Sequence, residues 1–490
     1  MLESAELGRS VTRAVYEERL PALRVALLNA QFDLREADFP VLLLMDGDDH
    51  IGCNDVVNLL HEWMDARYIQ THAFEPPSDE EKDRPRLWRY WRTLAPNGQI
   101  GIYARSWPFQ AIADRARKRI RKAEFEQRLE HMARFEETLA DEGALILKFW
   151  IHLPKKQLQK RLARARKDPE QNWRVGQIDG AVYDAWDRVL PIAERLLTRT
   201  STGAAAWHVV EATDARHRNL EVGETLLRKL RARLDTVLQK PTRPQATQQT
   251  ATPSEGILAH TDLSSSLTRE RYSKDLAKRQ RQLRKLSLRA QKKGVSAVLV
   301  FEGWDAAGKG GAIRRITGAL DATDYRVVPI AAPTDEENAH HYLWRFWRHL
   351  PRAGRMLIFD RSWYGRVLVE RVEGYAPEEA WQRAYAEIRE FEEQLAERGT
   401  PVVKFWLHID PETQLERFRA RETTPYKKYK ITDDDYRNRG RWLDYTAAIE
   451  EMVSRTSTAA APWHVVPAND KKFARVAVLK AVCAALDRAL

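Results

Sequence analysis

The 490-residue chain contains two copies of one sequence pattern, and this internal repeat limits the fold more than any other feature. Residues 1–240 match a second copy at a constant offset of 256 positions. The landmarks that keep this offset are Gly47 and Gly303, Trp88 and Trp344, Arg105 and Arg361, Lys148 and Lys404, and Trp207 and Trp463. Length alone would favour about three domains. The repeat instead favours two domains of roughly 230 residues, each large enough for its own hydrophobic core.

The composition changes between the two copies. Residues 240–266 are rich in Pro, Thr, Gln, Ser and Ala and poor in apolar side chains. This composition is typical of a flexible linker. We therefore predict one domain over residues 1–239, a linker over 240–266 and a second domain over 267–490.

Each copy opens with a long polar helical pattern, over about residues 11–29 and 267–292. Short apolar segments then alternate with further helical patterns, which predicts parallel strands joined by helices. In the second copy the predicted strands are 297–302, 325–330, 356–360, 402–408 and 463–467. The fold class is therefore α/β, with a parallel β-sheet flanked by helices in each domain. Ligands of such sheets bind beyond the carboxyl ends of the strands.

Composition restricts the compartment and the partners. The two cysteines, Cys53 and Cys483, cannot form a disulfide framework, which favours a reducing compartment. The longest early apolar run, residues 41–45, is too short to span a bilayer, and residues 1–10 do not resemble a signal peptide. We expect a soluble cytoplasmic protein without a membrane partner. The net charge of +11 favours a polyanionic partner, but it does not choose among nucleic acid, phosphorylated metabolites and inorganic polyphosphate.

A glycine-rich loop follows the first predicted strand of the second copy. Residues 303–311 read Gly-Trp-Asp-Ala-Ala-Gly-Lys-Gly-Gly, and a helix is predicted from about residue 312. This is the context of a Walker A loop, whose N–H groups, helix N-terminus and lysine bind phosphate. The candidate phosphate-binding residues are Gly303, Gly308, Lys309, Gly310 and Gly311. Because the two copies share one sequence pattern, this loop predicts that the chain consists of two tandem P-loop-kinase-like domains.

The loop lacks the hydroxyl residue that usually binds magnesium, because Gly310 occupies the position after the lysine. Mg²⁺ prefers carboxylate, phosphate and water oxygens. Asp305 in the loop and Asp360 at the end of the third strand are therefore the candidate metal and catalytic residues. Asp305 could instead cap the turn, and Asp360 could instead cap the next helix.

Cationic and acidic residues follow Asp360. Arg361 is the candidate for stabilising the charge of a transferring phosphoryl group, and a salt bridge with a helix carboxylate is the alternative. Arg366 and Arg371 could equally be solvated or structural. Glu370 could contact a base, a ribose or a metal, or have no contact with a ligand.

A basic and aromatic segment lies further on. Arg417, Arg419 and Arg421 precede the sequence Thr-Pro-Tyr-Lys-Lys-Tyr-Lys over residues 424–430, between two helical patterns. Such a segment could close over a polyanion and exclude water. We predict a lid that contains Lys427 and Lys428, with a solvated loop as the alternative.

The first copy has lost these features together. Its residues at the positions of Lys309, Asp360, Tyr364, Lys427 and Lys428 are Cys53, Ala104, Pro108, Gln171 and Asn172. Four carboxylates, Asp46, Asp48, Asp49 and Asp55, lie in its loop, so we expect it to repel polyphosphate because no counter-charge remains. We predict that the first domain is catalytically inactive. Arg361 is kept as Arg105, so the comparison does not strengthen its assignment.

The loop, the segment Asp-Arg-Ser-Trp-Tyr over residues 360–364 and the segment Tyr-Lys-Lys-Tyr over 426–429 resemble the polyphosphate kinase 2 family. The tandem arrangement resembles its two-domain branch, and the resemblance covers nearly the whole chain except the linker. It implies a Mg²⁺-dependent transfer of a phosphoryl group from inorganic polyphosphate to AMP, giving ADP and a shorter chain.

The resemblance also implies residue roles. Lys309 and the loop glycines would hold phosphate, Asp305 and Asp360 would organise Mg²⁺, and Arg361 would neutralise developing charge. Phosphate or nucleotide binding would extend to Tyr364, Glu370, Arg417, Arg421, Lys427 and Lys428. Single-domain relatives associate through equivalent surfaces, which implies a homo-oligomer or an inactive copy in the place of a partner subunit.

Three other functions remain open. An ATP-dependent nucleoside monophosphate kinase shares a P-loop and a lid, but it does not explain Gly310 or the duplication. A polyphosphate-dependent enzyme that phosphorylates ADP or GDP is a further alternative. A nucleic-acid-binding or scaffolding protein would use the basic surface, but no recognisable DNA or RNA module is present, so we expect no nucleic-acid partner.

Overall fold

The computed structural model describes residues 2–169, 172, 185–238, 256–423 and 433–490. The chain forms two compact units. The first comprises Met1–Pro77, Arg89–Arg243 and Asp335–His341, and the second comprises Ser78–Trp88, Pro244–Thr334 and Tyr342–Leu490. The units follow the sequence repeat except for the two short segments 78–88 and 335–341, each of which belongs to the unit of the other repeat.

The first unit contains a five-stranded parallel sheet with the order β2-β3-β1-β4-β5. Its strands are β1 Val41–Gly47, β2 Ile69–Ala73, β3 Ile100–Ala104, β4 Leu145–His152 and β5 Trp207–Glu211. The helices described in this repeat are α1 Arg13–Leu34, α2 His50–Trp63, α3 Asp79–Lys82, α4 Trp88–Trp91, α5 Trp107–Ala116, α6 Lys122–Asp141, α7 Lys155–Lys167, α8 Trp186–Thr200 and α9 Ala215–Leu238.

The second unit contains a parallel sheet of the same topology, with the order β10-β9-β6-β8-β7. Its strands are β6 Ala297–Gly303, β7 Tyr325–Pro329, β8 Met356–Asp360, β9 Val402–His408 and β10 Trp463–Pro467. The helices described in this repeat are α10 Arg269–Lys293, α11 Lys309–Thr317, α12 Asp335–Asn338, α13 Trp344–Trp347, α14 Val369–Val372, α15 Glu378–Glu397, α16 Pro411–Glu422, α17 Asp433–Gly440, α18 Trp442–Thr456 and α19 Lys471–Ala489.

The predicted α/β class and parallel sheets are confirmed, and the five strands of the second repeat lie within one residue of their predicted bounds. The three central strands of each sheet are buried along nearly their whole length, as expected for sheets covered by helices on both faces, whereas the edge strands β2, β5, β7 and β10 are partly exposed. The tryptophans that the repeats share, Trp88, Trp91, Trp344 and Trp347, are buried. No helix among the residues described combines the length and apolar character needed to cross a membrane.

The predicted linker includes a segment that packs against the second unit. Leu258 is buried, and the N–H groups of Ile257 and Leu258 both donate to the carboxylate of Glu450 on α18, at 2.8 Å. Linker residues 240–255 lie outside the described part of the chain. Residues 256–258 are therefore ordered by specific contacts, which the polar composition of the linker did not indicate.

The first strand of each repeat lies between the third and fourth strands of its sheet. The connection from the first strand to the second therefore runs to one side of the first strand, and the connection from the third strand to the fourth crosses to its other side. In open α/β sheets, ligands bind at the carboxyl ends of the strands where the connections diverge in this way. In the second unit this position is the end of β6, at Gly303.

Candidate active site

The backbone at the end of β6 requires a glycine. Gly303 has a φ of 147°, and a Cβ added there would lie 2.7 Å from the carbonyl oxygen of Leu407 on β9. Gly47 has the same relation to Ile151 in the first unit, where β1 passes β4. Both repeats keep this glycine because the strands pack closely there, so its presence alone does not indicate phosphate binding.

The loop that follows adopts a conformation that the first repeat lacks. Ala306 and Gly308 have φ values of 63° and 111°, and helix α11 begins at Lys309. The sequence prediction of a helix from about residue 312 was three residues late. Lys309 and Gly310 therefore lie in the first helical turn, whose N–H groups have no acceptor within the helix and can bind an anion.

An aromatic contact fixes the start of the loop. The indole Nε1 of Trp304 donates to Nδ1 of His408 at 3.1 Å, and the Trp304 ring stacks on Trp442 at 3.6 Å. Burial lowers the pKa of His408 to about 4, which leaves its ring neutral and able to accept this bond. The loop is thus anchored to the end of β9 and to α18.

Lys309 is held at the inner side of the loop. Its Nζ donates to the carbonyl oxygens of Gly303 at 2.6 Å and Trp304 at 3.3 Å. Burial lowers its pKa, and the nearby charge of Asp305 opposes that shift. Two carbonyl oxygens leave the third ammonium donor available, so the side chain is placed to bind a phosphate that enters the loop.

Two candidate residues meet across the ends of β6 and β8. Nη2 of Arg361 lies 3.1 Å from Oδ1 of Asp305, and the Arg361 side chain is 54% exposed. Arg361 has a φ of 67°, and its N–H donates to Phe301 O at 3.0 Å. Arg105 also has a positive φ, of 51°, so both repeats keep this strained turn. Its retention in both repeats gives the turn a structural role.

Asp360 ends β8 and pairs in register with Phe301 of β6. Its charge and that of Asp305 both act on Lys309. No group of three His, Cys, Asp or Glu side chains suited to a metal ion occurs among the residues described. Two carboxylates beside a phosphate loop nevertheless fit Mg²⁺, which keeps several waters and uses phosphate oxygens as ligands.

Three further side chains of this site were missed in the sequence. Glu302 is buried beside Gly303, and its Oε1 accepts the hydroxyl of Ser362 at 2.7 Å. Burial raises its pKa. Gln414 donates to Asp305 O at 3.3 Å, and Asn438 donates to Oδ2 of Asp305 at 3.5 Å. Glu302 could have been found from the repeat, since Asp46 occupies the same position and accepts from Ser106.

Arg417 contacts the loop through the backbone. Its guanidinium donates to the carbonyl oxygens of Ala306, Ala307, Ala468 and Asn469, at 2.8–3.1 Å. Burial lowers its pKa to about 10. Arg417 therefore positions the phosphate loop against the end of β10. Arg421 lies on the last turn of the same helix, and its charge acts on Arg417. The predicted lid residues Lys427 and Lys428 lie outside the described residues.

Glu370 and its neighbours are engaged in contacts within the second unit. Oε2 of Glu370 lies 3.3 Å from Nη1 of Arg366, whose guanidinium stacks over Tyr342. Arg371 donates to Glu451 at 2.7 Å and to the hydroxyl of Tyr385 at 2.8 Å. Structural roles are therefore favoured for both arginines, while ligand binding by Glu370 stays a prediction.

Tyr364 lies in the core rather than at the phosphate loop. Its side chain is fully buried, and its hydroxyl donates to Glu392 at 2.7 Å and accepts from Lys404 at 2.8 Å. The resemblance had implied a phosphate- or nucleotide-binding role. A hydroxyl that is enclosed with two protein partners cannot contact a ligand without leaving the core, so this expectation is corrected.

Replacing Tyr364 by phenylalanine should leave ligand binding unchanged and reduce stability. The variant keeps the ring but removes one hydrogen bond from each of two buried charges, which should cost about 1–2 kcal/mol of unfolding free energy. Urea unfolding measures this loss, and steady-state kinetics should show each KM within about twofold of the original. A large rise in KM at unchanged stability would return Tyr364 to the binding site.

The corresponding loop of the first unit has become part of a helix. Helix α2 begins at His50, the counterpart of Ala306, and Asp49 caps it by accepting from the N–H of Gly52 at 3.1 Å. The residues that form the loop in the second unit are therefore helical here. Cys53, at the position of Lys309, is buried, and burial raises its pKa well above the usual value.

The carboxylates of this altered loop do have counter-charges, contrary to the sequence expectation. Asp49 pairs with Arg161, and Asp55 lies 3.5 Å from Arg218. Asp48 bonds to Nδ1 of His152 at 2.6 Å. In the first unit, internal ion pairs thus occupy the position that corresponds to the glycine-rich loop of the second unit, and they would have to break before a phosphate could bind there.

Comparisons with known proteins agree with this geometry. The polyphosphate kinase 2 family model matches residues 10–237 and 266–490. The whole chain is 49% identical to a polyphosphate:AMP phosphotransferase of Pseudomonas aeruginosa and 47% identical to one of Pseudomonas syringae pv. tomato, with 99% of each relative covered. A Pseudomonas aeruginosa crystal structure assigned to polyphosphate kinase 2 has a TM-score of 0.89 at 48% identity, covering 100% of this chain and 99% of that one. The chain therefore belongs to the polyphosphate kinase 2 family.

Proposed function

We propose that the second unit transfers the terminal phosphoryl group of inorganic polyphosphate to AMP, giving ADP and a polyphosphate shorter by one phosphate. The observation that carries this proposal is the phosphate loop with Lys309, Asp305 and Arg361 at the end of β6 and β8. Full-length similarity to relatives named polyphosphate:AMP phosphotransferase supports the choice of donor and acceptor.

The proposed reaction needs no covalent intermediate with the protein. A phosphate oxygen of AMP forms a bond to the terminal phosphorus of the donor, and the bond from that phosphorus to the bridging oxygen breaks. The shortened chain leaves with the bridging oxygen and its electron pair. Lys309 and the N–H groups at the start of α11 hold the phosphates, while Arg361 neutralises charge on the group in transfer.

We propose Mg²⁺ as the cofactor, held by Asp305 and Asp360. When bound, the ion would supply positive charge to phosphate oxygens and align donor and acceptor. Arg361 is bonded to Asp305 in the structure. Release of that bond would free both groups for phosphate and metal.

Asp360→Ala, which places the residue of the first repeat at this position, should lower kcat by about 10²–10³-fold and raise the Mg²⁺ concentration needed for half-maximal rate. A Mg²⁺ titration of the initial rate at saturating substrates measures both effects. Asp444→Ala, an exposed carboxylate on α18, is the control and should leave the titration unchanged. An identical Mg²⁺ dependence in Asp360→Ala would exclude this residue as a ligand.

The donor and acceptor are tested by product analysis. Purified protein is incubated with Mg²⁺ and either AMP, ADP or GDP, with polyphosphate or ATP as donor, and nucleotide products are separated by chromatography. We expect ADP from AMP and polyphosphate. ADP formed only from ATP would favour a nucleoside monophosphate kinase. Faster use of ADP would match relatives such as the ADP-polyphosphate phosphotransferase 3 of Rhizobium meliloti, which aligns with 44% of this chain at 41% identity.

The other parts of the proposal concern the whole chain. The first repeat is catalytically silent because its loop is helical and filled by ion pairs. Residues 424–430 act as a lid with Lys427 and Lys428. The protein acts in the cytoplasm without nucleic-acid or membrane partners, and it self-associates or uses the silent repeat in the place of a second subunit.

A further inference from the structure

Side chains from three elements hold Asp305 in the phosphate loop. Its Oδ1 lies 3.1 Å from Nη2 of Arg361, which follows β8. Its Oδ2 accepts from Nδ2 of Asn438 on α17 at 3.5 Å. Its backbone oxygen accepts from Nε2 of Gln414 on α16 at 3.3 Å, and Gln414 is buried. Two amides and one guanidinium therefore set the position and direction of this carboxylate.

The segment that carries Asn438 is itself fixed beside the loop. On one side, Arg439 donates to the carbonyl oxygen of Pro411, at the start of α16, at 2.6 Å. On the other side, Trp442 at the start of α18 stacks on Trp304 of the loop at 3.6 Å. Asn438 lies between these two anchors along the chain. Its amide therefore reaches the loop carboxylate from a fixed position.

The amide of Asn438 is costly for the fold. Its Oδ1 is buried and accepts no hydrogen bond within the described residues. A buried amide oxygen without a donor lowers stability, and an apolar side chain of similar size would avoid this loss. Among the residues described, the side chain of Asn438 bonds to Asp305 alone. The stability of the fold thus does not explain this residue, and its one partner places it in the active site.

The first repeat keeps the charged residues of this site but separates them. Asp49 and Arg105 occupy the positions of the carboxylate and the guanidinium. Asp49 pairs instead with Arg161 and caps α2, while Nη2 of Arg105 lies 2.6 Å from Oε1 of Glu75. The presence of both charged residues is therefore not sufficient to bring them together at the end of the sheet.

The two amides are absent from the first repeat. Leu158 occupies the position of Gln414, and Val182 that of Asn438. The amides therefore vary between the repeats together with Lys309, whereas the carboxylate is kept. This is the pattern expected of groups that orient a carboxylate toward a ligand and are not needed for the fold.

We propose that Asn438 and Gln414 are positioning residues for Asp305, which keep its Oδ2 and its backbone bound to the protein while Oδ1 is released from Arg361 for the metal ion. This inference rests on the proposed function. When Arg361 turns to the phosphoryl group in transfer, the carboxylate loses one of its two side-chain partners. The amide of Asn438 then prevents its rotation, as outer hydrogen bonds do for other carboxylates that bind metals.

The test is Asn438→Val, which installs the residue of the first repeat. The Mg²⁺ concentration for half-maximal ADP formation should rise about tenfold, as expected when an outer partner of a metal ligand is lost. KM for AMP and for polyphosphate should stay within about twofold. The urea midpoint should be unchanged or higher, because the buried oxygen without a donor is removed. Gln414→Leu should raise the Mg²⁺ requirement in the same direction.

Two controls separate positioning from other effects. Asn58→Val makes the same substitution at an exposed position of α2 in the first repeat, and it should change none of these values. In the Asp305→Ala background, Asn438→Val should cause no further loss of rate, because Asn438 acts only through that carboxylate.

Three results would overturn the proposal. They are an unchanged Mg²⁺ requirement in Asn438→Val, a further loss of rate in the Asp305→Ala background, and a lowered urea midpoint that accounts for the lost rate. Failure of the unmodified protein to form ADP from polyphosphate and AMP would instead refute the proposed function. In that case Mn²⁺ binding with AMP present, followed by electron paramagnetic resonance of the free ion, still decides. Binding about tenfold weaker in Asn438→Val would support positioning of a metal ligand, and equal binding would exclude it.

Discussion

Lys309→Ala is expected to lower kcat/KM for ADP formation by about 10³-fold, the scale on which enzymes lose rate when one charged donor at a developing oxyanion is removed. Lys309 is the full positive charge inside the loop, where burial reduces screening by water. Its loss leaves the helix N-terminus to bind phosphate alone. Initial rates of ADP production over a range of polyphosphate concentrations measure the effect.

Controls separate this role from folding. Lys309→Arg keeps the charge but not the compact ammonium that fits between the carbonyl oxygens of Gly303 and Trp304, so it should recover less than about tenfold. Cys53→Ala at the equivalent position of the first repeat should leave the rate unchanged. Thermal unfolding of Lys309→Ala should stay close to that of the original protein. A rate within about tenfold of the original would place the active site elsewhere.

The parallel sheet and the strand bounds of the second repeat were predictable because buried parallel strands are continuous apolar segments, whereas the order of the strands was not predicted. Gly303 and Asp360 marked the ends of β6 and β8 correctly. The helix start at Lys309 was not predictable in the same way. Three glycines between Gly308 and Gly311 have low helix propensity, so the sequence indicated loop where tertiary contacts stabilise a helical turn.

The roles of individual cations and hydroxyls were harder to predict. Arg417 reads as part of a basic lid, yet it donates to four carbonyl oxygens of the loop and of the segment after β10. Tyr364 follows a candidate arginine by three residues, yet it is buried. Sequence shows neither the direction of a side chain nor its long-range partner. The comparison of repeats indicates a structural role for Arg417, which is retained as Arg161, but it misleads for Tyr364, which is a core residue although the first repeat has Pro108 at its position.

The two repeats together separate phosphate chemistry from folding. Buried cations with several acceptors, such as Lys404 and Arg417, occur in both. Lys309 occurs only in the second, since Cys53 occupies its position in the first. In the first repeat, Asp55 occupies the position of Gly311 and pairs with Arg218, which lies in the first turn of α9. In the first repeat, internal ion pairs thus stand at the position where the second repeat has its glycine-rich loop, and the two sheets keep the same topology.

Lys404→Met is expected to lower the unfolding free energy of the second unit by about 3–5 kcal/mol, since it leaves the carboxylate of Glu392 buried without its counter-charge. Nζ of Lys404 donates to Glu392 at 2.7 Å and to Tyr364 and Thr456 O at 2.8 Å, which uses all three of its donors. Oε1 of Glu392 accepts further bonds from Tyr364 and from Nε1 of Trp363. The network is fully bonded, so removing one charge disrupts all of it. The ADP-forming activity that remains at each urea concentration measures how much of the second unit is still folded.

A second variant and the pH dependence test the cause. The double variant Lys404→Met with Glu392→Gln removes both charges, so it should be more stable than Lys404→Met alone if the orphaned carboxylate is what destabilises. Burial already raises the pKa of Glu392 in the intact pair, and loss of Lys404 removes the main opposing charge. A carboxyl with a raised folded pKa contributes stability at low pH that is lost as the pH rises through that value. The deficit of Lys404→Met should therefore grow with rising pH, and in the double variant it should not. A pH-independent deficit of equal size in both variants would mean that lost packing, and not the buried charge, is responsible.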